Sequence, residues 1–314
     1  MSEREFTAIG VDVGGTKIAI GIVTFPGGVL RSKRTIPTLP QRGAEQVLED
    51  VERVTLELAA EIRAANKQVD GIGLGLCELV DRQGEIVSSC CLDWTRAEVC
   101  QRLSTIAPTV IEADVRAGAL AESLFGAGRL APVFLYISIG TGISSCLVVD
   151  GRPFLGNCGA TGTLASGPLP RFDPSQNHPP AVSLEQIASG PALVSRYNDS
   201  FPSVKAQSAQ EVLAAAEAGN EKALAILLSA AKALGGSIGG LVNVLDPAMV
   251  ILGGGLGSSQ GIYFDQLVKA ARRHIWWDGH RSLPLVRAQT GPDAGLIGAA
   301  ATAWKRFGQP TLRN

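Results

Sequence analysis

The sequence predicts an α/β fold of two similar domains flanking a cleft, and three observations predict it. Two distant stretches, "VDVGGTKIAIGIV" and "ISIGTGISSCLVV", each read as strand, Gly/Thr bend, strand. Apolar runs of strand length alternate along the chain with longer segments of helical period. The 314 residues are 46% hydrophobic and 18% charged, which is enough apolar material for two cores. A duplicated α/β unit of this kind favours ligand binding between its halves. One large sheet carrying a decorative hairpin is the alternative.

The elements follow in order. "AIGVDVGGTKIAIGIVTF" pairs two strands, and "VLRSKRTIP" adds a third. "GAEQVLEDVERVTLELAAEIRAAN" spaces Val47, Val51, Val54 and Leu58 along one helical face. "VDGIGLGLCELV" is a buried strand running into a loop, and "PTVIEADVRAGALAESLFGAG" a strand running into a helix. The second half repeats the hairpin in "VFLYISIGTGISSCLVVDGRPF". Helices are expected from Ser183 to Tyr197 and from Ser208 to Val244. The strand "AMVILGGG", another helix, the strand "LPLVRAQ" and a last helix from Asp293 complete the chain. "SGPLPRFDPSQNHPPAVS" reads as a proline-rich loop. The smaller N-terminal α/β domain is expected over residues 1–116, completed by a C-terminal helix at 294–314, and the larger over 117–293.

A net charge of -1 gives no broad positive field, which argues against a nucleic-acid or anionic-membrane partner. The start "MSEREFTAIG" lacks the basic-then-apolar pattern of a signal segment. The apolar stretch "ALAILLSAAKALGGSIGGLVNVL" is broken by Lys, Ser and Gly and reads as packed helix rather than membrane span. A cytoplasmic protein is expected. Cys77, Cys90, Cys91, Cys100, Cys146 and Cys158 include no Cys-x-x-Cys pair, and His178, His274 and His280 are scattered. They read as reduced thiols and give no support to a structural zinc.

The bend "DVGGTK" gathers an acid, two glycines, a hydroxyl and a lysine where Asn-Gly would close a hairpin. Either the glycines only supply unusual backbone angles, or bare amides and a hydroxyl surround an anion such as a nucleotide phosphate. "IGTG" repeats the chemistry with Thr141 and Gly142, and "VILGGGLG" puts Gly253 to Gly255 between a strand and a helix. Three such clusters at strand ends favour the anion. Asp114 in "EADV" follows a strand and precedes a helix, which suits a carboxylate at a cleft or a plain helix cap.

In this order the motifs resemble the actin-like (ribonuclease H-like) ATPase fold, and within it the ROK family of sugar kinases and repressors. The likeness runs through "IGVDVGGTK", "EADVRAGALAE", "ISIGTGI", "LVNVLDPAMVILGGGLG" and "DAGLIGAA", with "GIGLGLCELVDRQGEI" in place of the family's strand and Pro-Gly-Pro loop. The resemblance implies a homodimeric kinase that uses ATP and Mg2+ on a small sugar-like acceptor. It sets Gly14, Gly15, Thr16, Lys17, Thr141 and Gly142 about the ATP phosphates, and Gly254 and Gly255 near the adenosine. Asp12 would hold Mg2+ through phosphate or water. Asp114 would be the general base for a 6-hydroxyl.

The departures fall on the acceptor side. Ala113 stands where the family has the Asn before its catalytic Asp. "GTLAS" replaces Gly-Glu-x-Gly-His, so Thr163 takes the place of a sugar-binding Glu and Ser166 that of a His. Cys91, before "LDWT", takes the Asn place of the Asn-Leu-x-x-Trp segment. "NHPPAVSLEQIASG" occupies the region of the family's cysteine-rich zinc loop, so no structural zinc is expected. Glu185 matches a sugar-binding glutamate. The expected acceptor is therefore a modified hexose, aminosugar or cyclitol with a primary hydroxyl. An ordinary glucokinase-like hexose kinase and a catalytically silent sugar-binding relative are the alternatives. A family repressor would need a DNA-binding domain where only a few residues precede Ile9. Trp276 and Trp277 read as packing or oligomer contacts, and His274 and His280 as structural. Glu112 and Arg116 read as a solvated pair at a helix start.

Overall fold

Strands β1 (Phe6–Val13) and β2 (Lys17–Phe25) form the expected antiparallel hairpin, which β3 (Val29–Pro37) extends. This is a computed structural model, and it describes residues 4–167, 182–201 and 205–308. After the hairpin come α1 (Ala44–Ala64), β4 (Gly71–Leu76), α2 (Arg96–Leu103), β5 (Thr109–Ala113) and α3 (Asp114–Phe125). Then follow β6 (Val133–Ile139), β7 (Ile143–Val149), β8 (Arg152–Pro153), α4 (Glu185–Ala188) and α5 (Gly190–Ser200). Helices α6 (Ala209–Glu217) and α7 (Glu221–Leu245) lead to β9 (Met249–Gly253), α8 (Gly254–Gly257) and α9 (Ile262–His274). Strand β10 (Leu285–Arg287) and helix α10 (Ala294–Phe307) close the described chain.

One sheet orders its strands β3-β2-β1-β4-β5 and the other β10-β9-β6-β7-β8. Both are mixed, with β1, β4 and β5 parallel in the first and β6, β9 and β10 parallel in the second. The chain divides into two compact units. One takes Met1–Leu130, Cys146–Thr161 and Gln289–Asn314, the other Ala131–Ser145 and Gly162–Ala288.

In the first unit the alternation along β1 sorts side chains onto two covered faces. Ile9, Val11 and Val13 pack with Val47, Val51, Val54 and Leu58 of α1, as the helical spacing predicts. Ala8, on the opposite face, joins Leu120 of α3 and Leu296 and Ala300 of α10. That face is so close to α10 that Gly73 has no room for a side chain, since an added Cβ would overlap the carbonyl of Ala299. Its register partner Gly10 meets the carbonyl of Leu296 in the same way. Gly298 of α10 meets the carbonyl of Ala117 in α3. A seam of small residues thus lets helix backbone lie directly on strand backbone.

The second unit buries Leu135, Ile137, Ile139, Val250 and Leu252 of its strands with Leu227, Leu234 and Val242 of α7. Helix α7 is long and apolar enough to cross a membrane by length and composition, but half of its most apolar stretch is buried against its own unit. The expected helix from Ser208 to Val244 is two helices. Gly219 sits at φ 91° and ends α6, and the Asn220 side chain caps α7 by accepting from the Ala223 amide at 3.0 Å. The expected helix from Ser183 to Tyr197 likewise breaks at Ser189, which caps α5 by accepting from the Ala192 amide. Helix α2 is absent from the sequence expectation, yet "TRAE" announces it. Thr95 and Glu98 bond each other's backbone amides as a capping box. Most of the proline-rich stretch, residues 168–181, and the end of the expected C-terminal helix, 309–314, lie outside the described residues.

Candidate active site

Three parallel strands bring the first unit's chemistry to one edge of its sheet. Asp12 pairs with Gly75 and Gly75 with Glu112; one residue on, Val13, Leu76 and Ala113 stand abreast. Beyond them the chain leaves the sheet at Gly14, Cys77 and Asp114. The carboxyl ends of parallel strands are where α/β sheets take ligands. Asp114 opens α3, but Ala113 is the N-cap residue, so the aspartate is not the cap. Its Oδ1 accepts from the Val115 amide at 2.6 Å. Burial, and after it the charge of Asp12, push Asp114 up to about 7. Burial, opposed by Lys17, lifts Asp12 to about 6. A buried carboxylate whose affinity for protons a second carboxylate raises marks a place where a divalent cation would relieve the repulsion. That donor chemistry fits Mg2+, with Asp12 as the holding group.

The Asp12 carboxylate also lies against Gly295 in the first turn of α10, where an added Cβ would overlap its Oδ2. A helix N-terminus favours a carboxylate there. The glycine bend is held from behind. The Thr38 hydroxyl donates to the Gly14 carbonyl at 2.6 Å, and the Thr38 amide to the Thr16 carbonyl at 3.0 Å. Thr16 and Lys17 are exposed, and Gly14 and Gly15 partly so. Ala113 is buried in the unit's core at 5% exposure.

The Glu112–Arg116 pair is not solvated, which corrects the sequence expectation. Arg116 is 2% exposed. Its Nε donates to Glu112 at 2.5 Å, and its two terminal nitrogens donate to the carbonyls of Gly159 (2.7 Å) and Val80 (2.6 Å). One guanidinium thereby fastens two loops to the start of α3, using donors in a fixed fork. Sequence reasoning also missed Glu78. This carboxylate is buried, and it accepts from the Ser88 hydroxyl and the amides of Cys90, Cys91 and Leu92. The only signal for it was an acid inside the otherwise apolar "GLCELV".

In the second unit the Gly140 amide donates to Gly142 at 2.9 Å and the Gly190 amide to Gly140 at 2.8 Å, which closes the bend and leaves Thr141 exposed. Glu185, expected with the acceptor, accepts from the Ile143 amide at 2.8 Å and lies 2.9 Å from where a Gly142 Cβ would be. Thr163 and Ser166 are exposed on one turn, where the Ser166 amide donates to the Thr163 carbonyl. The Glu185 amide donates to Ala165 between them, at 3.2 Å. The unit therefore gathers Gly142, Thr163, Ser166 and Glu185. Gly254 sits at φ 74°, where an added Cβ would stand 2.5 Å from the Ile139 carbonyl. Backbone packing requires that glycine. Gly255 is open, with Gln210 its nearest neighbour at 3.8 Å.

Among the described residues no group of three or more His, Cys, Asp or Glu side chains is arranged to hold a metal, and His178 lies outside them. His274 and His280 are structural, bonding the carbonyls of Ala270 and Pro247. Trp276 and Trp277 are exposed.

Comparisons with known proteins cover nearly the whole chain. The model of the ROK family matches residues 8–306. A glucokinase of Thermotoga maritima is 28% identical over 316 residues, spanning 96% of this chain and 98% of that protein. The crystal structure of a ROK hexokinase from Thermus thermophilus is 33% identical with a TM-score of 0.75, covering 96% of this chain and 99% of that one. A glucokinase from Streptomyces griseus, solved with glucose and AMPPNP, is 28% identical with a TM-score of 0.80, covering 95% and 99%.

Proposed function

The chain belongs to the ROK family, and from that premise we propose that it transfers the terminal phosphoryl group of ATP to the primary hydroxyl of a modified hexose, aminosugar or cyclitol. It is an ATP-dependent carbohydrate kinase with the α/β fold and two mixed sheets of its relatives. The observation that carries the reading is Asp114 at the carboxyl edge of the first sheet, beside Asp12 and poised near neutrality. An alcohol is a poor nucleophile; a carboxylate with this affinity orients the hydroxyl and accepts its proton as the bond to phosphorus forms. Asp12 and Lys17 would hold the Mg2+ and a phosphate oxygen, and Mg2+ supplies charge neutralisation at the transferring group. The bends at Gly14–Lys17 and Thr141–Gly142 serve as phosphate-binding turns, each within its own unit, with Gly254 and Gly255 beside the adenosine.

For the acceptor, the second unit keeps Glu185 as a charged partner while its Thr163 and Ser166 offer weaker bonds; in the first unit, taken by itself, Ala113 and Cys91 offer weaker bonds or none. Hydrogen bonds to charged groups contribute about 1.5–3 kcal/mol and neutral ones about 0.5–1.5. Losing two of the former kind, about 3–6 kcal/mol, slows glucose by about 10²–10⁴-fold. Ordinary hexose phosphorylation is the second reading, favoured by the names of the relatives. Specificity constants for glucose, mannose, aminosugars and cyclitols, read by coupled ADP detection, decide between them. A modified ring well ahead of glucose is expected; glucose as the best acceptor overturns the first reading. A cytoplasmic homodimer is proposed on the same family likeness.

A further inference from the structure

Four donors converge on Glu78, a residue that the phosphoryl chemistry does not use. Its Oε2 accepts from the Ser88 hydroxyl and from the Cys90 amide at 2.8 Å; its Oε1 accepts from the Cys91 amide at 2.5 Å and the Leu92 amide at 3.0 Å. The carboxylate is 5% exposed. Burial alone would raise its pKa, but the Ser88 hydroxyl and the three amides outweigh burial and hold it below the usual carboxylate range. Beyond Leu92, the Trp94 indole is anchored by donating to the Ala44 carbonyl at 2.8 Å. The Cys90–Leu92 backbone is thus suspended between one buried anion and the core.

What this suspension presents is the Cys91 thiol. It hydrogen-bonds Cys77, the residue that leaves β4 beside Asp114, and the Cys77 amide donates to the Val13 carbonyl at 3.1 Å. Burial and then the Asp114 charge push the Cys77 thiol well above its ordinary range, so it stays protonated. Beside the aspartate stands one sulfur, Cys77, and hydrogen-bonded to it the second, Cys91. A thiol is a weak donor and a weak acceptor, where a carboxamide offers two donors and two acceptor lone pairs.

We propose that Glu78 is a positioning residue for acceptor specificity, holding Cys91 beside Cys77 and Asp114. The wall it builds selects a sugar-like ring bearing carbon or an apolar substituent, rather than a hydroxyl, on that side. This rests on Asp114 being the base of the acceptor site. A hydroxyl placed against the sulfurs would leave water for two weak partners, and a methylene or methyl group loses nothing there.

Three variants test it: Cys91→Asn, Glu78→Gln and the double variant, each assayed with glucose and titrated with ATP by calorimetry. Cys91→Asn restores amide donors and raises kcat/KM for glucose by about 10-fold, the worth of one good hydrogen bond. In the Glu78→Gln background that gain falls below about twofold, because a carboxamide turns donors towards amides and releases the segment. ATP affinity stays unchanged in all three. Iodoacetamide labelling of Cys91, followed by mass spectrometry, accelerates in Glu78→Gln and is an activity-free readout. Should Glu78→Gln not fold, Ser88→Ala removes one donor and must move both readouts in the same direction by less. An equal gain from Cys91→Asn in both backgrounds, or unchanged labelling in a folded Glu78→Gln, overturns the proposal. Failure of the base reading is separate: Asp114→Asn would turn over normally while the labelling result still stood.

Discussion

Asp114 holds its proton more tightly in the folded protein than an ordinary aspartate does, near 7 against 3.8. Between those values the folded state binds more protons than the unfolded chain, so this group's stabilisation is complete below pH 4 and is lost as pH rises through 7. Asp114→Asn should match wild type in stability at pH 4 and exceed it at pH 8, as urea unfolding at both values will show. The same substitution removes the proton acceptor and should lower kcat by about 10²–10⁴-fold, nearer the low end because the transition state is loose. Wild-type activity should fall on an acid limb near pH 7 that the variant lacks. Gly142 is the second residue with a sharp consequence. Its neighbour, the Glu185 carboxylate, would lie 2.9 Å from an added Cβ. Gly142→Ala should therefore raise KM for the acceptor as well as weaken ATP, and calorimetry with each ligand alone will separate the two losses. An unaltered acceptor affinity would disconnect Glu185 from the bend.

At the level of elements, α3 is fastened at both ends. Arg116 ties its first turn to two loop carbonyls and Glu112. At its other end the buried Glu122 accepts from the Thr290 amide at 2.7 Å and the Ala127 amide at 2.8 Å. Arg116→Met keeps much of the bulk but strands Glu112 and two carbonyls, at a cost on the order of 3 kcal/mol. Chemical denaturation should register that loss, and kcat should fall further than stability predicts because Asp114 rides on the same turn. A stability change under about 1 kcal/mol would mean that these buried bonds contribute no more than a surface pair does.

For the molecule as a whole, the order of strands and helices was legible because burial period and glycine bends are local signals. The α1 face, the first hairpin and the strand-to-helix turn at Asp114 all appear where their spacing put them. Illegible were the features that depend on distant partners. Nothing near Arg116 in sequence announces the carbonyls of Val80 and Gly159, and nothing near Glu78 announces the amides twelve to fourteen residues on. At Gly254 the backbone of Ile139 leaves no room for a Cβ, a constraint that no residue near it in sequence announces. The helix breaks at Ser189 and Asn220 were readable as caps but hidden in long apolar runs. Zinc content is a whole-molecule property. We expect elemental analysis of the purified protein to find less than stoichiometric zinc, since the sequence offers Cys158 and His178 no partners spaced to complete a four-ligand set. Tightly held zinc lost only on unfolding would contradict that.

The seam where α10 lies on β1 and β4 has a consequence for how such a protein diversifies. Gly10, Gly73 and Gly298 each face a carbonyl oxygen with no space for a methyl group. The strand that carries Asp12 and the helix that Asp114 opens are therefore registered against α10 by positions at which nearly every mutation is lost. The segment that follows β4 is held at a few points, by Arg116 at Val80, by Glu78 at Cys90 to Leu92 and by Trp94 at Ala44, and its residues 82 to 87 are exposed or partly so. Heredity can rewrite the second without disturbing the first. A lineage could change its acceptor many times over while the spacing of phosphate turn and base stayed frozen in glycine.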